Sequence, residues 1–106
     1  MGAPMVIIQT TLPRAWNEAE VGAWVQALLD ANLIACAHID EVRSIYRWEG
    51  AVQSEPEWRI QLKTTLQGAD SLRMAVRESH PYEVCELIQI AADADEAYHE
   101  WMQKEV

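Results

Sequence analysis

The chain of 106 residues carries 17 acidic and 8 basic side chains, so its formal net charge at neutral pH is −9. Such a charge repels phosphate backbones and anionic lipid surfaces, and we therefore expect neither nucleic acid nor a membrane as a partner. Half of the residues are apolar, which is too many for a disordered chain and predicts one folded domain over residues 1–106.

The start of the sequence and its two cysteines bear on where the protein works. Residues 1–5 lack the basic start and long apolar run of an export signal. The uncharged stretch 33–39 is far shorter than the ~20 residues of a membrane-spanning helix. Two cysteines, Cys36 and Cys85, are too few for a disulfide framework. We therefore expect a cytoplasmic protein with reduced thiols.

Changes in the apolar period predict the first elements in chain order. The β-branched run 5–8 indicates a buried strand that is ended by Thr10, Thr11 and Pro13. Apolar residues with helical spacing then predict a helix over about 15–31. After this helix the period becomes two, which predicts a strand over 33–48 with a bend or bulge at 40–41.

A long hairpin is predicted next. Glu49 and Gly50 form its turn, because glycine adopts positive φ at little cost. In the return strand Pro56 lacks an N–H donor, which predicts an edge or a bulge at that point. The large aromatic residues of the hairpin are Tyr46, Trp48 and Trp58. We expect other subunits to cover them, because exposing each aromatic ring to water is unfavourable.

The last part of the sequence predicts a helix, a strand and a helix. The first helix is capped by Asp70 or Ser71 and ends before Pro81, the strand spans 87–91, and the terminal helix begins with a capping box at Asp93. The whole order is that of an α+β fold, the ferredoxin-like βαββαβ arrangement with an extra C-terminal helix.

Several motifs in the same order resemble the CutA divalent-cation tolerance family. The segment Ser-Ile-Tyr-Arg-Trp-Glu-Gly at 44–50 resembles the hairpin signature of the family. Other segments that resemble family motifs are the strand 33–39, Lys63-Thr64, His80-Pro81-Tyr82, and Tyr98 with Trp101. The resemblance covers about residues 5–104. It implies a ferredoxin-like protomer and a homotrimer with strand pairing between subunits. It also implies a cytoplasmic protein linked to tolerance of copper and other divalent metals.

The candidate metal ligands lie mainly in the loop after the second predicted helix. Copper and zinc favour thiolate and imidazole, and carboxylates add hard oxygen donors. The predicted ligands are His80, Glu83, Cys85 and Cys36. The resemblance also implies copper at three positions, of which His80 is retained while Gln9 and Ser79 replace a Cys and a His found in some members. The alternative interpretations are a rigid turn for the loop and a buried small thiol for Cys36.

The residues also bear on two other functions. An enzyme with a cysteine nucleophile is not expected, because Glu83 and Glu86 surround Cys85 with negative charge and disfavour a reactive thiolate. The alternative to a non-enzymatic metal-binding or sensing protein is a trimeric signal-transduction module that binds a small anionic ligand in intersubunit clefts. In that case Arg47, between Tyr46 and Trp48, would pair with the anion, whereas subunit packing is the competing role.

Overall fold

The computed structural model describes residues 2–106, which form four strands and three helices. The strands are β1 (Ala3–Pro13), β2 (Cys36–Trp48), β3 (Ala51–Thr65) and β4 (Ile88–Ala94), and the helices are α1 (Glu18–Asp30), α2 (Ala69–Ser79) and α3 (Glu96–Glu105). The strands form one antiparallel sheet in the order β2-β3-β1-β4. This arrangement confirms the predicted α+β fold of ferredoxin-like type with a C-terminal helix.

The two faces of the sheet differ in what covers them. Alternate residues of β1 and β3 pack with α1 and α2 in the main core, among them Ile8, Ile60, Val25 and Leu72. The other side, here called the open face, carries residues such as Gln9, Glu57, Arg59 and Gln61. A smaller cluster around Met5, Ala35 and Met102 places α3 over one end of this face. Along β3, Trp58, Ile60 and Leu62 therefore face the main core and alternate with polar residues on the open face.

The helix ends are set by local hydrogen bonds. α1 begins three residues later than expected, because Asn17 forms a capping box in which its Oδ1 accepts from the N–H of Glu20 at 2.8 Å and the Glu20 carboxylate accepts from the N–H of Asn17 at 3.1 Å. Neither Asp70 nor Ser71 caps α2, which starts at Ala69 after Gly68 without a side-chain cap. α2 ends at Ser79, before Pro81, as predicted.

The predicted end of β1 is confirmed only at Pro13, and the predicted bend in β2 is wrong. β1 continues through Thr10 and Thr11 and ends at Pro13, because Thr10 is buried and stays in register with Ile60. β2 shows no bend or bulge at its two acidic residues, since both are held by arginines at the sheet surface. Asp40 pairs with Arg59 on β3 at 2.7 Å, and Glu41 pairs with Arg14 at 2.6 Å.

The hairpin extends beyond the rest of the sheet. Its turn is confirmed, with positive φ at Glu49 (50°) and Gly50 (80°). The last pairing between β1 and β3 is Pro13 with Glu57, so residues 43–56, here called the hairpin arm, form a two-stranded ribbon. Pro56 lies in this arm opposite Arg43, with a neighbouring strand on one side only, which confirms the predicted edge position.

Two further expectations are corrected by burial and register. Trp58 is only 5% exposed, and its Nε1 donates to the carbonyl oxygen of Trp16 at 2.9 Å, so its own subunit already covers it. Asp93 does not begin a capping box, because it pairs with Pro4 inside β4 and α3 starts after Asp95 without a side-chain cap. Across residues 2–106 we find no helix that is both long and apolar enough to cross a membrane.

Candidate functional site

His80 is bonded through both of its ring nitrogens. Nε2 lies 2.8 Å from the carbonyl oxygen of Thr11 and 2.9 Å from Oγ1 of Thr10, and Nδ1 lies 3.1 Å from the backbone nitrogen of Tyr82. A carbonyl oxygen only accepts and a backbone N–H only donates, so Nε2 carries the proton and Nδ1 accepts. In this neutral tautomer neither ring nitrogen has a lone pair free for a metal ion.

The surroundings of His80 favour that neutral form. Burial lowers the pKa of His80 below 6.5, although the hydrogen bond to Thr11 and the charge of Glu57 act in the opposite direction. The rings of Trp24 and Tyr82 lie against the imidazole, at centroid distances of 6.3 and 5.2 Å. His80 therefore fastens the end of α2 and the following loop to β1.

Two tyrosines donate hydrogen bonds to glutamates near this loop. The phenol of Tyr82 donates to Oε2 of Glu57 at 2.8 Å, and the phenol of Tyr46 donates to Oε1 of Glu55 at 2.8 Å. Burial and the bond to Glu57 raise the pKa of Tyr82, while the bond to Glu55 is the main cause of the raised pKa of Tyr46. Both phenols therefore stay protonated and act as donors.

An open cavity of about 690 Å³ lies between the hairpin arm and residues 80–86, here called the His80 loop. Its aromatic lining is Tyr46, Trp48 and Tyr82, and its acidic lining is Glu57, Glu83 and Glu86. Thr11 of β1 also borders it, so the cavity adjoins the hydrogen bonds of His80. The sequence motifs of the hairpin and of the loop thus meet at one place.

The predicted metal ligands are not assembled into one site. Cys36 pairs with Lys63, whereas Thr11, the partner of His80, pairs with Arg59. Four residues of β3 separate these positions, which is about 13 Å along the strand, and Cys36 is also two strands away from β1. Within residues 2–106 no group of three His, Cys, Asp or Glu side chains is placed to hold a metal ion.

The His80 loop itself offers few free donors for such an ion. Glu83 borders the cavity, and Cys85 is a free, half-buried cysteine. Oε2 of Glu86 already accepts a hydrogen bond from Gln9 at 3.2 Å. Because the nitrogens of His80 are also engaged, the described residues of one protomer do not fit a resident copper or zinc site.

Sequence reasoning did not find the partners that give the loop its structure. Thr10 lies 70 residues from His80, and no local pattern connects the two positions. The position of Glu57 could have been predicted, because residues alternate between the two faces of β3. Trp58 faces the core, so Glu57 lies on the open face. Its contact with Tyr82, 25 residues later, was visible only in the folded chain.

Comparisons with known proteins agree with this fold along almost the whole chain. The profile of the family described as "CutA1 divalent ion tolerance protein" matches residues 6–105. The divalent-cation tolerance protein CutA of Pyrococcus horikoshii is 38% identical over 102 residues, covering 95% of this chain and 97% of that protein. The protein of the same name from Thermus thermophilus is 33% identical over 100 residues, covering 92% and 94%.

Solved structures show the same similarity. The crystal structure of CutA1 from Pyrococcus horikoshii has a TM-score of 0.87 and 37% identity, covering 96% of this chain and 98% of that chain. A Nostoc protein described as a PII-like protein CutA has a TM-score of 0.85 and 32% identity, covering 95% and 96%. Fold, motifs and the match over nearly all residues agree, and the chain belongs to the CutA1 divalent ion tolerance protein family.

Proposed function

We propose that this protein supports tolerance of divalent cations, copper among them, through binding or sensing without catalysis, as a cytoplasmic homotrimer. The observation that carries the proposal is the family match over residues 6–105. In this proposal all 106 residues act as one domain. The divalent cation is the cargo or signal of the protein and not a resident cofactor, since residues 2–106 of one protomer present no group of three ligands for a closed metal site.

The exposed apolar residues of the hairpin arm support an assembly of several copies. Ile45 is 70% and Trp48 is 51% exposed, and Val52 on the same arm is also exposed. A two-stranded ribbon is marginally stable by itself, and the sheet edges at β2 and β4 leave backbone groups open to another strand. We propose that the arm of one copy packs on its neighbours and that strands pair between subunits.

The proposed contacts with divalent cations are weak and separate. They are His80, Glu83, Cys85 and, at a distance from the loop, Cys36. His80 would have to give up a hydrogen bond to Thr11 or Tyr82 before it could bind a metal ion. The net charge of −9 attracts cations to the whole surface, so we propose that contacts in the His80 loop are completed by a second copy.

A growth experiment tests the tolerance function. The protein is expressed in a bacterial host that lacks its own family member, and growth is measured over a series of copper concentrations. We expect growth at copper concentrations that inhibit the host with an empty vector. Equal inhibition of the two strains, at confirmed expression of the folded protein, would contradict the proposal.

The alternative, a module that binds a small anionic ligand, has no support in the cavity of one protomer. Glu57, Glu83 and Glu86 border that cavity, and among the residues that line it there is neither a lysine nor an arginine. Such a lining repels carboxylates and phosphates. The lining of this cavity therefore does not favour an anionic ligand.

A further inference from the structure

We propose that Arg47 of one copy enters the cavity between the hairpin arm and the His80 loop of a neighbouring copy, where its guanidinium pairs with Glu57 among the aromatic rings of the cavity. The inference rests on the proposed assembly of several copies. It specifies which two surfaces meet and which residue each copy contributes.

Glu57 is the first reason for expecting a positive group from outside the protomer. This residue is only 9% exposed, yet it borders the cavity. Oε2 accepts from the phenol of Tyr82, whereas Oε1 has no hydrogen-bond partner and the carboxylate forms no ion pair within residues 2–106. A carboxylate that becomes buried without a cation is unfavourable, so a neighbouring copy that covers the cavity should bring a cation with it.

Arg47 of the same copy cannot supply this charge. Arg47 lies opposite Val52 in the hairpin arm, and Glu57 follows five residues later on β3, which is about 17 Å along the strand. The odd spacing also places the side chains of Val52 and Glu57 on opposite faces of β3. A pair between Arg47 and Glu57 therefore requires two copies.

Arg47 is an arginine without a partner in its own copy. It is exposed and forms no hydrogen bond and no ion pair within residues 2–106. Arg43, on the same strand of the arm, donates to Ser54. The arginines that already form ion pairs are Arg14, Arg59 and Arg73. The arm thus presents one free guanidinium to a neighbouring molecule.

The two faces of the hairpin arm have complementary roles in this contact. Arg47 and the exposed Val52 share one face, because they are paired across the ribbon. Alternation places Tyr46 and Trp48 on the other face, and both line the cavity. Each arm therefore inserts into one neighbour with one face and receives the other neighbour with the opposite face. Such head-to-tail contacts form a closed ring when the rotation between copies is 120°.

The chemistry of the cavity fits a guanidinium. A planar guanidinium stacks on aromatic rings and can donate two N–H groups to one carboxylate. The cavity offers the rings of Tyr46, Trp48 and Tyr82 and the free oxygen of Glu57. Its volume of about 690 Å³ is open to the outside, so a side chain from another copy can enter. An arginine buried among aromatic residues is also typical of the centre of a protein interface.

A double-mutant cycle tests the contact, because two side chains about 17 Å apart in one copy should affect stability independently. Melting temperatures are measured for Arg47→Gln, Glu57→Gln and the double variant, at one protein concentration at which the wild type is assembled. Glutamine at position 57 keeps an oxygen that accepts from Tyr82. We expect the double variant to lose no more melting temperature than the more affected single variant. Additive losses would overturn the proposal.

Arg77 provides the matched control. It is an exposed arginine of α2, outside the arm and the cavity. We expect the losses of Arg77→Gln and Glu57→Gln to add in the double variant. If Arg77 is coupled to Glu57 as strongly as Arg47 is, the contact is not specific to the arm and the proposal is overturned.

Charge reversal provides an independent measurement. Arg47→Glu places a carboxylate against Glu57, and we expect dissociation on dilution at a protein concentration at least about tenfold higher than for Arg77→Glu. Equal dissociation of the two variants would overturn the contact. A monomeric wild type would contradict the proposed assembly and this contact with it. An assembled wild type with additive losses in the cycle would overturn this contact alone.

Discussion

The phenol of Tyr82 donates a hydrogen bond of 2.8 Å to the carboxylate of Glu57, joining the His80 loop to β3 where the hairpin arm begins. The same residue donates its backbone N–H to Nδ1 of His80. Tyr82 is therefore bonded on one side to a strand of the sheet and on the other side to the imidazole that holds β1. This double role makes the loop a fixed part of the protomer.

Removing the phenol should destabilise the fold. Tyr82→Phe leaves the buried carboxylate of Glu57 without its donor, and we expect the free energy of unfolding to fall by about 1 to 3 kcal/mol. Chemical denaturation measures this change. Tyr46→Phe is the matched control, because Tyr46 donates to Glu55 at an exposed position, and we expect a smaller loss. If both variants lose the same free energy of unfolding, the buried hydrogen bond to Glu57 contributes no more to stability than the exposed one to Glu55.

His80 should make stability depend on pH. Its pKa in the folded protein lies below 6.5, so the unfolded chain takes up the proton first as the pH falls. The stability due to the neutral ring is complete above about pH 6.5 and is lost as the pH falls through the lowered pKa. We expect the melting temperature of the wild type to decrease between about pH 7 and pH 5, and His80→Gln to show a weaker decrease.

The control for this measurement is the variant His38→Gln. His38 is an exposed residue of β2, so its replacement removes an imidazole without removing the bonds to Thr11 and Tyr82. We expect His38→Gln to keep the wild-type decrease. If acidification lowers the melting temperatures of His80→Gln and of the wild type by the same amount, the ring of His80 is not the cause of the decrease.

The fold itself was largely readable from the sequence, whereas the site was not. Alternation placed Trp58 and Glu57 on opposite faces of β3, because a strand has a period of two whatever its neighbours are. The capping residue of α1 was not predicted. The acidic residues at 40–41 were interpreted as a bend or bulge, because Arg59, which pairs with Asp40, lies 19 residues later in the sequence. Contacts such as His80 with Thr10 join distant segments, and only the folded chain brings them together.

Copper titration separates the roles proposed for the loop residues. Because both nitrogens of His80 are already bonded, we expect His80→Ala to weaken copper binding less than Cys85→Ser, which removes a thiolate donor. Cys36→Ser tests the separate contact on β2 and should leave the loop contact unchanged. Unchanged affinity in both His80→Ala and Cys85→Ser would rule out a copper contact in the loop.

The hairpin arm should control assembly. Light scattering after size exclusion is expected to give the wild type a mass about three times the 12.1 kDa of one chain. Ile45→Glu places a charge on an exposed apolar position of the arm, and we expect it to reduce this mass. Met74→Glu, at an exposed position of α2, is the matched control. A wild-type monomer, or a trimer unaffected by Ile45→Glu, would contradict assembly through the arm.

The bond between Nδ1 of His80 and the backbone of Tyr82 also has a consequence for hydrogen exchange. The amide of Tyr82 lies in a loop, where exchange with solvent is normally fast. Here the amide of Tyr82 can exchange only after its hydrogen bond to His80 breaks. The imidazole of His80 is itself held by hydrogen bonds to Thr10 and Thr11 of β1. This single loop amide should therefore exchange on the timescale of the sheet, and its protection would report how often the loop separates from the rest of the protein.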